Sequence, residues 1–141
     1  MLISHAVHIE APPDLVWRES IDVESWPEHA PQMKSIVRID EGPFGPGSSA
    51  RVTPHGFWGA VWTVREFEDG RSFSWDCDML PGVHLVAGHV VEPDGAGTKL
   101  TLSLRSSGPV ATLMAPVFSR IFNRNVSQEG AGLKAYCEAR V

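Results

Sequence analysis

Arg71-Ser72-Phe73-Ser74-Trp75-Asp76-Cys77-Asp78-Met79 alternates without a break. Phe73, Trp75, Cys77 and Met79 fall on one side of an extended chain, and Ser72, Ser74, Asp76 and Asp78 on the other. Successive side chains of a strand point to opposite faces, so this stretch predicts a strand with one face on a core and one in water. A sheet that is wet on one side is antiparallel, because parallel sheets are covered on both faces. The flanking segments repeat the pattern. Downstream, Leu80-Pro81-Gly82 turns the chain and about Val83 to Val91 returns it. Asp94-Gly95-Ala96-Gly97 turns it again, and Lys99 to Arg105 sets Leu100, Leu102 and Leu104 against Lys99, Thr101, Ser103 and Arg105. Upstream, Asp69-Gly70 is a hairpin turn, since glycine tolerates the positive φ such turns need. Strands are expected over about Trp58 to Phe67, Ser49 to Pro54 and Ser35 to Asp40, with the Gly- and Pro-rich loop Gly42–Gly47 between the last two. Ile3 to Glu10 adds one more, with Ile3, His5, Val7 and Ile9 on one face. The sum is six or seven antiparallel strands joined by short turns.

The ends of the chain follow a different period. Pro12-Pro13-Asp14 stops the first strand and opens a short helix through Ser20, proline suiting the first helical turn and an acid meeting the positive dipole end. Asp22-Val23-Glu24-Ser25-Trp26 makes a second short turn, ended by Pro27. From Ser107-Gly108-Pro109 onward the pattern is helical to the C-terminus, and Pro116 is expected to kink or split that helix. Met114, Phe118, Ile121, Asn125, Gly132 and Tyr136 fall on one face of it. Gly132 on that face suggests a close approach of helix to sheet. One sheet and one long helix must bury their apolar faces on each other, which makes this an α+β chain with the sheet curled around the C-terminal helix.

In that order, several motifs resemble the START-like superfamily of helix-grip (SRPBCC) proteins, and within it the small polyketide cyclase/dehydrase-type proteins. They are Val7-x-Ile9-x-Ala11-Pro12-x-x-x-Val16-Trp17, Asp22-Val23-Glu24-Ser25-Trp26-Pro27, Gly59-x-x-Trp62-Thr63-Val64 with Phe73-Ser74-Trp75, Gly95-x-Gly97-Thr98-x-Leu100-Thr101 and Glu129-x-x-x-Leu133-Lys134. The resemblance runs over nearly the whole chain, implies a single domain over residues 1–141, and is specific for fold rather than function. It implies an apolar ligand cavity between sheet and helix. Aromatase/cyclases of this group carry polar residues into that cavity, typically an arginine where this chain has Glu66 and a tyrosine where it has Met33. Both departures weaken a cyclase reading.

Composition narrows the partners. The 141 residues carry a formal net charge of −5, with twelve Lys and Arg scattered along the chain, so the clustered basic surface that nucleic acid requires is absent. The longest uncharged stretch, Ser106 to Ser119, is too short to span a bilayer and contains Gly108, Pro109 and Pro116. Met1–His5 shows none of the marks of a signal peptide. Cys77 and Cys137 lie 60 residues apart outside any CxxC pair and read as reduced thiols in the cytoplasm. The six histidines make no HxH or HxxxH pattern, so no metal is expected. No glycine fingerprint or GxSxG elbow occurs, and no cofactor is expected.

The candidate ligand-binding residues are Trp26, His29, Met33, Trp58, Trp62, Val64, Phe73, Trp75, Phe118, Ile121 and Asn125. The tryptophans serve equally as ordinary core, since in this architecture core and cavity wall share one face. Two residues are candidates for acid–base catalysis. Glu66 shares the face of Trp62 and Val64 by period two, and reads either as a desolvated general base or as an exposed strand-end residue beside Arg65 or Arg71. Glu129, one turn after Asn125, reads either with it as a polar anchor inside the cavity, or with it near a wet cavity mouth or paired with Arg124 or a strand backbone. Asp76 and Asp78 belong to the solvent face, Cys77 to the buried one, and His5 to the core with a backbone partner. His29 lines the cavity mouth or lies on the surface. The function expected is binding of a hydrophobic small molecule, polyketide-like, aromatic or lipid. The alternatives are a polyketide cyclase or dehydratase using a cavity carboxylate, and an accessory subunit or adaptor with a vestigial cavity. Ligand identity and the choice between monomer and dimer stay open.

Overall fold

The computed structural model describes residues 1–141. Seven strands form one antiparallel sheet: β1 (Leu2–Ile9), β2 (Met33–Arg38), β3 (Ser49–Pro54), β4 (Ala60–Glu68), β5 (Ser72–Leu80), β6 (Val83–Asp94) and β7 (Gly97–Ser107). Their spatial order is β1-β7-β6-β5-β4-β3-β2. Strands β2 to β7 follow one another as a meander, and β1 closes on β7 with Leu2 opposite Arg105 and Ile9 opposite Thr98. The two edges of the sheet are therefore β1 and β2, consecutive in sequence but farthest apart in the sheet. Helix α1 (Pro13–Ile21) and a 3-10 helix (Val23–Glu28) carry the chain between them. Pro12 caps α1 with extended φ and ψ, and Pro13 and Asp14 occupy its first turn. Pro27 lies inside the 3-10 helix, which runs one residue past it. This is the α+β helix-grip fold that the strand alternation and the resemblance imply.

The alternation in β5 has its expected outcome: Phe73, Trp75 and Cys77 are buried, while Ser72, Ser74, Asp76 and Asp78 face out. Asp76 binds Arg65 at 2.9 Å and Asp78 binds His84 at 2.9 Å, both on the wet face. Elsewhere the ladders move the expected ends. Strands β6 and β7 pair as far as Asp94 and Gly97, beyond the expected Val91 and Lys99. Strand β2 runs over Met33–Arg38, and Asp40 instead accepts a hydrogen bond from the Ser49 amide at 2.7 Å. Strand β4 begins at Ala60, which leaves Trp58 in the preceding loop.

The last third divides as Pro116 demands. Helix α2 (Pro109–Leu113) ends at Met114, and α3 (Ala115–Glu138) starts with Pro116 in its first turn, where a missing N–H costs nothing. The sheet-facing stripe of α3 is Phe122, Val126, Gly130, Leu133 and Cys137, all buried, shifted from the stripe expected on the helical wheel. Gly130 faces Leu102 and Val7 with room for a Cβ. Gly132 faces elsewhere: a Cβ built on it would fall on the His29 carbonyl oxygen, so its close approach is to the end of the 3-10 helix. No helix is long and apolar enough to cross a membrane.

Candidate functional site

Sheet and helix do not close completely. Between the concave face of β3–β7, the 3-10 helix and α3 lies a cavity of about 320 Å³. Its floor is aromatic. Trp75 on β5 stands centrally, with Trp26 from the 3-10 helix edge-on at 5.5 Å between centroids and Trp62 from β4 tilted at 5.7 Å. Such edge and tilted packing places the electropositive ring edge against a neighbour's face. Phe118 and Ile121 of α3 form the opposite wall, Leu102 and Leu104 of β7 a third side, and Met33 closes the end near β2. Trp58 and Phe57 stand at the mouth, 60% and 56% exposed, with the Trp58 indole N–H donating to the Met79 carbonyl at 3.1 Å.

Three of the expected ligand residues lie elsewhere. Val64 and Phe73 are buried behind the lining in the core, Phe73 as the face on which His89 stacks. His29 is packed on the Tyr136 ring at 4.6 Å, on the far side of the 3-10 helix, with both ring nitrogens buried and unbonded. Desolvation holds its pKa below the usual histidine range. Glu66 is displaced by a β-bulge. The ladder runs Val64 opposite Trp75 and then Glu66 opposite Ser74, so one extra residue breaks the period of two. Phe67 takes the inner position against Trp17 and Phe44, and Glu66 is exposed on the convex face. The general-base reading of Glu66 is overturned by that bulge. His5, half-buried, is bonded to the Asn123 side chain at 3.0 Å rather than to backbone.

Asn125 and Glu129 both line the cavity. Glu129 reaches β6 and meets His89, Oε1 to Nε2 at 3.2 Å. His89 sits parallel on Phe73, with 4.7 Å between centroids and 7° between planes, and against Trp26 at 5.0 Å. This aromatic sleeve leaves the imidazole 4% exposed. Burial disfavours the charged form of each partner, so the His89 pKa falls to about 3 and the Glu129 pKa rises to about 7. Near neutrality the pair exchanges one proton. Protonated Glu129 donates to Nε2, and ionised Glu129 accepts from the Nε2–H tautomer of neutral His89. A carboxyl that changes charge near pH 7 at the end of an apolar space is suited to general acid–base chemistry. Cys77 also borders the cavity, its thiol pushed up to about 12 by burial, which leaves it inert as a nucleophile.

His89 is not among the expected site residues, although its sequence carries a signal. Period two along β6 puts it on the same face as Val83, Leu85, Ala87 and Val91, where a lone histidine must have a partner. Histidine spacing speaks only to metal, and no group of three or more His, Cys, Asp or Glu is placed to hold one.

A family model described as polyketide cyclase / dehydrase and lipid transport matches residues 2–138. No curated protein matches the sequence. Among solved structures, a protein from Thermus thermophilus superposes with a TM-score of 0.81 at 18% identity, covering 99% of each chain. The ZhuI aromatase/cyclase from Streptomyces sp. R1128 superposes at 0.78 with 21% identity, covering 99% of this chain and 94% of its own. A START superfamily protein from Mycobacterium smegmatis superposes at 0.76 with 16% identity and 99% coverage of both. At these identities the likeness is one of fold.

Proposed function

The chain belongs to the polyketide cyclase / dehydrase and lipid transport family, and on that premise we propose that it binds one apolar small molecule, polyketide-like, aromatic or lipid, between the sheet and α3. The observation that carries this reading is the open, tryptophan-walled space itself. Protein interiors pack like organic crystals, so a space left open within one is unusual. Apolar walls offer water few hydrogen-bond partners. A space of about 320 Å³ walled by Trp26, Trp62, Trp75 and Phe118 thus leaves apolar surface to water unless a ligand covers it. It lies at the small end of the range of about 300–1,000 Å³ for ligand sites, which suits a compact ligand.

Native mass spectrometry of the purified protein and titration with 2-acetylnaphthalene and a monoacylglycerol test the reading. Trp26, Trp58, Trp62 and Trp75 border the cavity, so occupancy is expected to change tryptophan emission. No co-purified ligand and no response to any apolar probe would overturn it.

A second reading rests on the His89–Glu129 pair. If the bound molecule is a poly-β-ketone, Glu129 serves as the general base or acid of a cyclisation or dehydration, with neutral His89 holding its orientation through the Nε2–Oε1 hydrogen bond. Glu129→Gln is expected to lower turnover by about 100-fold or more while ketone binding persists, since positioned general catalysis contributes about 10²–10⁴. Unchanged turnover would remove the catalytic reading and leave the binding one intact.

A further inference from the structure

The cavity is lined by a carboxyl and by none of the twelve Lys and Arg residues. The titratable groups facing it are Glu129 from α3, His89 from β6, Cys77 from β5 and His55 at the mouth. His89 is stacked, buried and held neutral, Cys77 keeps its proton, and His55 is exposed to water. Glu129 Oε1 is engaged by His89, and 17% of the carboxylate side chain stays open. The remaining polar contributions come from Asn125, Gln32 and Ser103, all uncharged.

We infer that this site selects by charge, accepting apolar molecules whose buried end is an uncharged hydroxyl or carbonyl and excluding carboxylates of the same shape. This rests on the binding reading above and names its ligand class. An anionic head would lose its water and gain no cation in return, a costly exchange in a desolvated site. It would also face Glu129, and two carboxylates that share a site cannot both ionise without penalty. An alcohol has no such conflict. Its O–H donates to the carboxyl oxygen that His89 leaves free, which accepts whether Glu129 is protonated or ionised, so it fits both protonation states. A protonated amine must also shed its water, and its only counter-charge is the single Glu129 carboxyl, one oxygen of which His89 already engages.

Three probes with one naphthalene body separate the cases: 2-naphthalenemethanol, 2-naphthoate and 2-naphthylmethylamine, titrated by calorimetry at pH 8. The alcohol is expected to bind at least tenfold tighter than the carboxylate. That ratio is expected to narrow in Glu129→Gln, and to narrow in the unaltered protein at pH 6, where Glu129 is protonated. The pH arm needs no variant and stands even if the glutamine form folds poorly. Equal affinity for alcohol and carboxylate at pH 8, a ratio insensitive to both changes, or tighter binding of the amine than the alcohol would each overturn the inference. If none of the three binds, the binding reading itself falls.

Discussion

His89 and Glu129 stand 3.2 Å apart, Nε2 to Oε1, although one belongs to a strand and the other to a helix forty residues later. Neither is stable there as an isolated charge. The imidazole lies between Phe73 and Trp26, and the carboxyl opens into an apolar space, so each is shifted toward its neutral form. The pair is a buried acid–base couple whose proton balance differs between the folded and unfolded chain, and that difference can be measured.

Stability should record it. Unfolded, Glu129 titrates near 4.5 and His89 near 6.5; folded, they titrate near 7 and near 3. Glu129, with its pKa raised, contributes stability that is present below about 4.5 and lost as pH rises toward 7. His89, with its pKa lowered, contributes stability that is lost as pH falls from about 6.5 toward 3. Between about 4.5 and 6.5 each state binds one proton, on Glu129 when folded and on His89 when unfolded, and the two slopes cancel. Glu129→Gln leaves His89 alone. Urea melts of the variant are expected to gain stability relative to the unaltered protein as pH rises through that window, by up to about 1.4 kcal/mol per pH unit. Parallel curves would show that the pair is not desolvated.

The proton itself is visible by carbon NMR of glutamate-labelled protein. One side-chain carboxyl should titrate near 7 and should disappear in Glu129→Gln. In His89→Phe it should titrate higher still, because the donor that stabilises the ionised form has gone. A single cluster of midpoints near 4.5 would refute the assignment.

Two glycines two residues apart on α3 should respond with opposite signs. A Cβ on Gly130 would meet Leu102 Cδ1 at 3.6 Å and Val7 Cγ1 at 3.7 Å, ordinary contact distances. Gly130→Ala therefore gains helix propensity of up to about 1 kcal/mol. A Cβ on Gly132 would fall on the His29 carbonyl, so Gly132→Ala must push the 3-10 helix from α3 and is expected to cost about 1–3 kcal/mol. Thermal melts of the two variants check this, and equal shifts in one direction would contradict it.

Glu66 and Trp75 make a second contrast. Glu66 is exposed beyond the bulge, so Glu66→Gln should change stability by no more than about 0.5 kcal/mol and leave probe affinity unaltered. Trp75 is 2% exposed and touches Trp26, Trp62, Phe44 and Phe73. Trp75→Ala should cost about 3–5 kcal/mol and weaken the fluorescence response to ligand. Chemical denaturation with the same probe titrations distinguishes the two. A loss of ligand affinity in Glu66→Gln would mean that the convex face communicates with the cavity.

The sequence by itself determined the sheet and its partner. Alternation of polar and apolar residues is a local property of an extended chain, so the two faces of β5 and β7 could be read from residues two apart. Turns that need positive φ, at Gly70, Gly82 and Gly95, announced themselves by residue type. Pro116 announced the division of the C-terminal helix for the same reason, a missing N–H that acts within one turn. What lies inside the cavity was decided by tertiary structure. One bulged residue after Val64 turned Glu66 outward and Phe67 inward, and a bulge depends on the partner strand as much as on its own sequence. Helix α3 buries Phe122, Val126 and Leu133, sets Phe118, Ile121 and Asn125 on the cavity and leaves Tyr136 on the 3-10 helix, because it packs against two surfaces at once. The His89–Glu129 pair needed both β6 and α3 to be placed in three dimensions. No periodicity within either segment carries a contact between them, and only the closing of the sheet around the helix brings the two side chains together.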